Sequence, residues 1–306
     1  MSRPVIHSLP SSVDDAARLA VLLGTAMHAI DVHRFPDGEL RVTVGPVVPT
    51  TIVYASLDQP NDKLLSLLFA AEALRRGGAR RLVLLAPYLC YMRQDKAFHA
   101  GEAISQKVIG RLLAATFDRV ITVDAHLHRT KNIADVFGGI EAEDLSAMPA
   151  IADFLAGQGL AAGSIVVGPD AESEPWVRDL AGRLKLDHAV ARKVRHGDRS
   201  VEMTFAEPAL FKGRPVVLVD DIVSSGGTLL ACAKALLAAG AASVDAVITH
   251  ALFPPVMLES LLKSGLRSVR STQSVPHPTN AIVLDAMFAE ALRKEFTGTG
   301  AQGTAS

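Results

Sequence analysis

The sequence predicts an α/β protein of two similar lobes, each a mostly parallel sheet flanked by helices. Three observations carry this. Short apolar runs recur at 51–56, 81–88, 119–126, 164–170, 215–221 and 244–253, with helical patterns between them; strands covered on both faces read as such near-continuous runs. The chain has 306 residues, 49% hydrophobic and 21% charged, which is too long for one small core and too apolar for disorder. The polar residues that close the runs fall into two sets. Arg93-Gln94-Asp95 and Asp124-Ala125-His126 lie in the first half, and Asp170 and Asp220-Asp221 in the second, at the carboxyl ends of strands, where such sheets place their sites.

Residues 1–145 are expected to form the first lobe and 146–296 the second, joined through EDLSAMPAIADF, where Pro149 is the main punctuation. The segment TGTGAQGTAS, 297–306, is small and polar and is expected to be disordered. In the first lobe RFPDGELRV (34–42) reads by itself as a hairpin turning at Pro-Asp-Gly. NDKLLSLLFAAEALRRGG, from Asn61, reads as a helix with Asn61 as N-cap, leucines at helical spacing and Gly77 as its stop. A lone histidine after a strand, such as His126 or His128, reads as a structural or surface group. In the second lobe RKVRHGDR (192–199) reads by itself as a solvated loop.

Charge narrows the function. With 31 basic against 32 acidic side chains and no long basic block, neither nucleic acid nor a membrane surface is an expected partner, and any anion site must be local. Cys90 and Cys232 are the only cysteines, far apart and beside apolar residues, so they predict buried free thiols in a reducing cytosol. The start MSRPVIHSLP lacks a signal-peptide core, and no apolar stretch is long enough to span a bilayer. A cytoplasmic location is expected.

VVLVDDIVSSGGTLL (216–230) carries the most chemistry. A strand runs into Asp220-Asp221, and Ser224, Ser225, Gly226, Gly227 and Thr228 then open a helix that ends near Gly240. Glycines admit a ligand to the backbone, hydroxyls donate hydrogen bonds, and a helix N-terminus favours an anion, so the loop is shaped for a phosphate. The carboxylates would repel that phosphate. Their expected partners are neutral hydroxyls or a magnesium ion further along the same ligand, as a sugar phosphate would supply. An ordinary strand, turn and capped helix is the plainer reading.

This stretch resembles the phosphoribosyl diphosphate binding motif of the type I phosphoribosyltransferase fold, which implies that both lobes are of that type. RFPDGELRV, residues 61–95 ending in YMRQD, VITVDAHLH (120–128), VVGPD (166–170) and ARKVRHGDRSVEM (191–203) resemble, in order and spacing, segments of ribose-phosphate diphosphokinases. The likeness covers roughly residues 30–255 and is closest to divergent bacterial or archaeal-like forms. It implies transfer of the diphosphoryl group of MgATP to the anomeric hydroxyl of ribose 5-phosphate, giving 5-phosphoribosyl 1-diphosphate and AMP for nucleotide biosynthesis. Neither G-x-x-x-x-G-K-[ST] nor G-x-G-x-x-G occurs, so ATP must bind by another route.

The resemblance supplies that route. It implies that adenine stacks on Phe35 beside Asp37 and Glu39, often from a neighbouring subunit, so that the protein is a homo-oligomer of at least two chains. Arg93, Gln94 and Asp95 would approach the nucleotide. His126 and Asp170 would hold Mg2+ on the ATP phosphates. Lys193 and Arg195 would be catalytic cations on a mobile flap. Asp220 and Asp221 would orient ribose hydroxyls, and Ser224, Ser225, Gly226, Gly227 and Thr228 would hold the 5-phosphate.

The chain departs from the family at several places. Ala171-Glu172-Ser173-Glu174-Pro175 stands where a glycine-rich diphosphate loop is usual, and its acids would oppose a polyanion unless turned away. KAFHAGEAIS, after Asp95, lacks the arginines that many phosphate-activated members carry, which predicts weak activation by phosphate and weak ADP allostery. DAHLHRTKNIADVF lacks the usual glutamine-rich continuation. Rival readings are a non-catalytic regulatory relative of the synthase, a phosphoribosyltransferase acting on a nucleobase and, with least support, an RNA-binding regulator.

Overall fold

The computed structural model describes residues 2–127, 129–196 and 200–297, with 194–196 and 200–202 described by their backbone alone. The chain divides into two compact units, Met1–Leu145 with Leu284–Ser306, and Ser146–Val283.

In the first unit β1 (Val5–Ser8) is followed by α1 (Val13–Leu23), β2 (Met27–Ala29), a hairpin of β3 (Asp31–Arg34) and β4 (Leu40–Thr43), β5 (Thr50–Tyr54), α2 (Pro60–Arg76) and β6 (Arg81–Ala86). Then come α3 (Ser105–Ala114), β7 (Arg119–Val123), the short α4 (Ala134–Phe137) and β8 (Glu141–Leu145). Six strands form one sheet in the order β2-β1-β5-β6-β7-β8, and every neighbouring pair is parallel. Leu84 and Val120 pack there with Leu67 and Leu74 of α2 and Leu113 of α3.

The second unit repeats the plan. It runs α5 (Met148–Gly157), β9 (Ile165–Gly168), α6 (Glu174–Leu184), β10 (Asp187–Val190), a hairpin of β11 (Arg192–His196) and β12 (Ser200–Thr204), and β13 (Pro215–Val223). It continues through α7 (Gly227–Ala238), β14 (Ser243–Ala251), α8 (Met257–Lys263), β15 (Leu266–Thr272) and β16 (Asn280–Ile282). Its sheet order is β10-β9-β13-β14-β15-β16, again with parallel neighbours. In each unit the second strand lies outside the first, an antiparallel hairpin follows, and the third strand returns to the first strand's other side. The hairpin β3–β4 and the hairpin β11–β12 are therefore equivalent elements of a duplicated fold.

Two expectations need correction. The helix α2 begins at Pro60, whose fixed φ suits a first helical position, and its N-cap is Gln59 at φ 46°; Asn61 lies inside the helix, while Gly77 does follow its end. The last helix, α9 (Asp285–Thr297), was expected in the second lobe but belongs to the first unit. The cause is a charge cluster: Glu295 pairs with Arg81 at 2.7 Å and with Arg119 at 3.0 Å, while Phe288 meets Tyr54 edge to face. The tail beyond Thr297 lies outside the described residues, as does His128. Among the described residues no helix is long and apolar enough to cross a membrane.

Candidate active site

In the second unit the strand ends converge. The β9 strand stops at Gly168, where a Cβ would sit 2.0 Å from Ser173 Oγ; glycine lets the chain turn tightly into Asp170 there. Asp170 caps the short turn 171–173, its Oδ1 accepting the Glu172 N–H at 3.2 Å. Its Oδ2 pairs with Lys193 Nζ of β11 at 2.7 Å. Of the two acids in the departing 171–175 segment, Glu174 opens α6 and pairs with Arg178 four residues on, at 2.5 Å.

The paired aspartates do not end their strand, as the sequence suggested; β13 continues through them to Val223. It keeps β14 along this stretch, with Asp220 opposite Ile248 and Ile222 opposite His250, but its ladder with β9 stops at Leu218. The freed edge is capped locally: Asp220 Oδ1 accepts the Asp221 N–H at 3.1 Å, and Asp221 Oδ1 accepts the Ile222 N–H at 2.8 Å. Asp221 is buried. Burial first, then the charges of Asp221 and Asp170, push the Asp220 carboxyl well above the usual carboxylate range, with Lys193 opposing them.

Gly226, at φ 77°, is the N-cap of α7, and no side chain caps this helix. Ser224 and Ser225 precede it as exposed residues, and Gly227 and Thr228 form its first turn. Glycine is required at 226 by its left-handed backbone, and a Cβ there would approach Leu261 of α8 at 3.5 Å. Cys232, buried on the same helix, has its thiol pushed up to about 12 by burial and by Asp220 and Asp170, so α7 overlies the acidic group. The structure thus brings Asp170, Lys193, Asp220 and Asp221 together in one unit. The side chain of Arg195 lies outside the described residues.

The first unit holds the other set. Phe35 is 38% exposed at the tip of the β3–β4 hairpin, edge to face with His33 at 4.8 Å. Asp37 builds the turn, accepting the Glu39 N–H at 3.1 Å, while Glu39 returns its carbonyl to the Phe35 N–H at 2.8 Å. Arg93 is exposed in the loop after β6, Gln94 donates to Glu102 at 3.1 Å, and the Asp95 side chain is buried against Arg129. His126 is half-buried after β7, beyond Asp124, whose φ of 37° marks the turn.

The sequence reading missed two residues that organise this set. Asp62 pairs with Arg34 at the base of the hairpin, and its neighbour Asn61 accepts from Tyr91 in the loop, so one turn of α2 anchors both segments. No local motif marks them, because each partner lies about 30 residues away. Among the described residues no group of three or more His, Cys, Asp or Glu is arranged to hold a metal ion by itself. His126 and Asp170 belong to different units. A clustered set of carboxylates that raises Asp220 nevertheless suits a hard cation that keeps waters and takes substrate phosphate as ligands.

Two parallel α/β units, one bearing paired acids before a small-residue loop at a helix N-terminus, define a duplicated phosphoribosyltransferase-type protein. Residues 5–116 match the family described as the N-terminal domain of ribose phosphate pyrophosphokinase, and residues 146–253 match the phosphoribosyl transferase domain. A ribose-phosphate pyrophosphokinase of Methanopyrus kandleri is 34% identical over 94% of this chain and 98% of its own. Ribose-phosphate pyrophosphokinase 2 of Archaeoglobus fulgidus is 32% identical over 92% and 97%. The crystal structure of phosphoribosylpyrophosphate synthetase from Mycobacterium smegmatis superposes with a TM-score of 0.84 at 24% identity, covering 97% of this chain and all of that one. The chain belongs to the ribose-phosphate pyrophosphokinase family, as the sequence resemblance implied.

Proposed function

We propose that the protein joins MgATP and ribose 5-phosphate to form 5-phosphoribosyl 1-diphosphate and AMP. The observation that carries this is the group at the end of the second sheet: Asp220, Asp221, Asp170 and Lys193 beside an uncapped helix N-terminus in a chain of this family. The uncapped start of α7, with Ser224, Ser225 and Thr228, receives the 5-phosphate. Asp220 and Asp221 accept hydrogen bonds from ribose hydroxyls and set the sugar's anomeric oxygen. Phe35 stacks on the adenine, and Arg93, Gln94 and Asp95 hold the nucleotide.

The anomeric oxygen attacks the β-phosphorus of ATP, its bond to the oxygen bridging the α-phosphate breaks, AMP departs and the hydroxyl proton is released. Little covalent work is asked of the protein; alignment and charge neutralisation supply the rate. Asp170 in the second unit and His126 in the first are the residues that would hold magnesium, which would supply charge neutralisation for the polyphosphate. Lys193 leaves Asp170 for the transferring phosphoryl oxygens, with Arg195 from the same strand, and the duplicated hairpin β11–β12 acts as a lid. The enzyme works as an oligomer of at least two subunits, in the cytoplasm.

The test is to follow AMP and 5-phosphoribosyl 1-diphosphate together, from MgATP with and without ribose 5-phosphate. Equimolar, ribose-dependent formation of both is expected. Lys193→Ala should lower kcat by about a hundredfold or more with smaller changes in KM. Folded protein that releases diphosphate only when given a nucleobase and 5-phosphoribosyl 1-diphosphate would replace this reading with a transferase.

A further inference from the structure

Arg129 stands three residues after His126, in a segment to which the sequence motifs give no role. Its Nη1 lies 2.6 Å from Asp95 Oδ1, and its guanidinium lies 5.7 Å from the centre of the Phe98 ring. Lys96 Nζ lies over the same ring at 5.1 Å. Glu102 Oε2 accepts the Phe98 N–H at 2.8 Å and Gln94 Nε2 at 3.1 Å. Next to Arg129, Thr130 donates to Gln106 Oε1 at 3.0 Å, and Gln106 Nε2 donates to the Met92 carbonyl at 3.3 Å. Side chains therefore tie the loop after β6 to the segment after β7, and the Arg129–Asp95 pair adds an ionic link between them.

Asp95 is the unusual member. Its side chain is only 2% exposed, yet among the described residues Oδ2 is buried without a hydrogen-bond partner while Oδ1 takes Arg129. A carboxylate withdrawn from water is costly unless a cation neutralises it and donors fill its lone pairs. Arg129 provides the cation and one donor. The remaining oxygen is shielded from water, so the carboxylate depends on Arg129 for its neutralisation. Gln94, next in sequence and half-buried, is turned by Glu102 within the same network.

We propose that Arg129 is a positioning residue of the nucleotide site: by holding buried Asp95 through Oδ1 it fixes the loop after β6, so that the neighbouring Arg93 and Gln94 are set to receive the bound nucleoside. That this nucleoside is ATP rests on the synthase reading. Arg129 itself touches no reacting atom. Its loss should therefore weaken nucleotide binding and leave turnover and the sugar site alone. A lysine keeps the charge without the planar fork and should restore part of the binding.

The experiment uses the full chain as wild type, Arg129→Ala, Arg129→Lys and Arg129→Ala with Asp95→Asn. Calorimetric titration with MgATP is run beside the AMP-forming assay. Arg129→Ala should weaken ATP binding and raise its KM by about tenfold or more, with kcat changed by less than about twofold and KM for ribose 5-phosphate unchanged. Arg129→Lys should lie between, and adding Asp95→Asn to Arg129→Ala should cost little more. Wild-type ATP binding by Arg129→Ala overturns the proposal, as does a joint fall of kcat, both KM terms and melting temperature. If wild type binds ATP but forms no AMP while Arg129→Ala loses ATP, the synthase reading fails and the proposal stands. If wild type binds no ATP, both fail.

Discussion

At the scale of single residues, the site holds a charge arrangement that opposes folding. Asp220 is crowded by Asp221 and Asp170 and partly withdrawn from water, so its pKa rises on folding. The native state then keeps this proton to a higher pH than the unfolded chain, whose aspartates titrate near about 3.9. Below that pH both states are protonated and the group contributes no difference. Above it the unfolded state ionises first and stability falls, until the native carboxyl also ionises. Asp220→Asn preserves the Oδ1 that accepts the Asp221 N–H and removes the charge. It should be more stable than wild type at pH 7.5 by about 1 kcal/mol or more, with the gap closing near pH 4, while ribose 5-phosphate binding is lost. Urea melts at the two pH values measure this; equal stabilities at pH 7.5 would remove the charge-crowding account. Asp220 and Asp221 were legible in the sequence because strand, acids and loop are contiguous. Asn61, Asp62 and Arg129 were not, because each acts on a partner about 30 residues or more away that only the fold supplies.

Elements differ in legibility for a similar reason. All six apolar runs became central or near-central strands, since a strand covered on both faces is apolar at nearly every position. The outer strands β2, β10 and β16 have three or four residues and mixed exposure, so no period rises above the surrounding loop. The helix α9 was misassigned because its packing partner is set by buried charge. Glu295 and Arg119 keep only 4% and 2% side-chain exposure, Arg119 also pairs with Glu143, and Arg81 with Glu141. Removing one member of a buried pair leaves the other uncompensated. Glu295→Ala should therefore destabilise the first unit by about 3–5 kcal/mol, with Glu295→Gln intermediate. Equilibrium denaturation that shows less than about 1 kcal/mol would mean that water already shares this cluster.

For the whole molecule, the proposed function asks one duplicated fold to carry two kinds of substrate contact. The two units share strand order, and each places an antiparallel hairpin between its second and third sheet strands. One hairpin presents Phe35 and the other Lys193, so under the proposed function the same element would bind an aromatic base in one copy and move a cation in the other. Phe35 remains exposed at the tip although a large apolar ring gains from burial, which fits a residue that completes a site on a second chain. If each adenine site takes its hairpin from one subunit and its loop from the neighbour, Phe35→Ala and Arg93→Ala inactivate complementary halves. In a mixed dimer one site then carries both changes and the other carries neither. Random mixing should restore about a quarter of wild-type activity in a dimer, although each variant alone is nearly inactive. Differently tagged chains that co-purify as mixed oligomers with no recovery would instead assign hairpin and loop to the same subunit. Asn61 and Asp62, which anchor both segments on one turn of α2, would then be the residues that close the adenine site within a single chain.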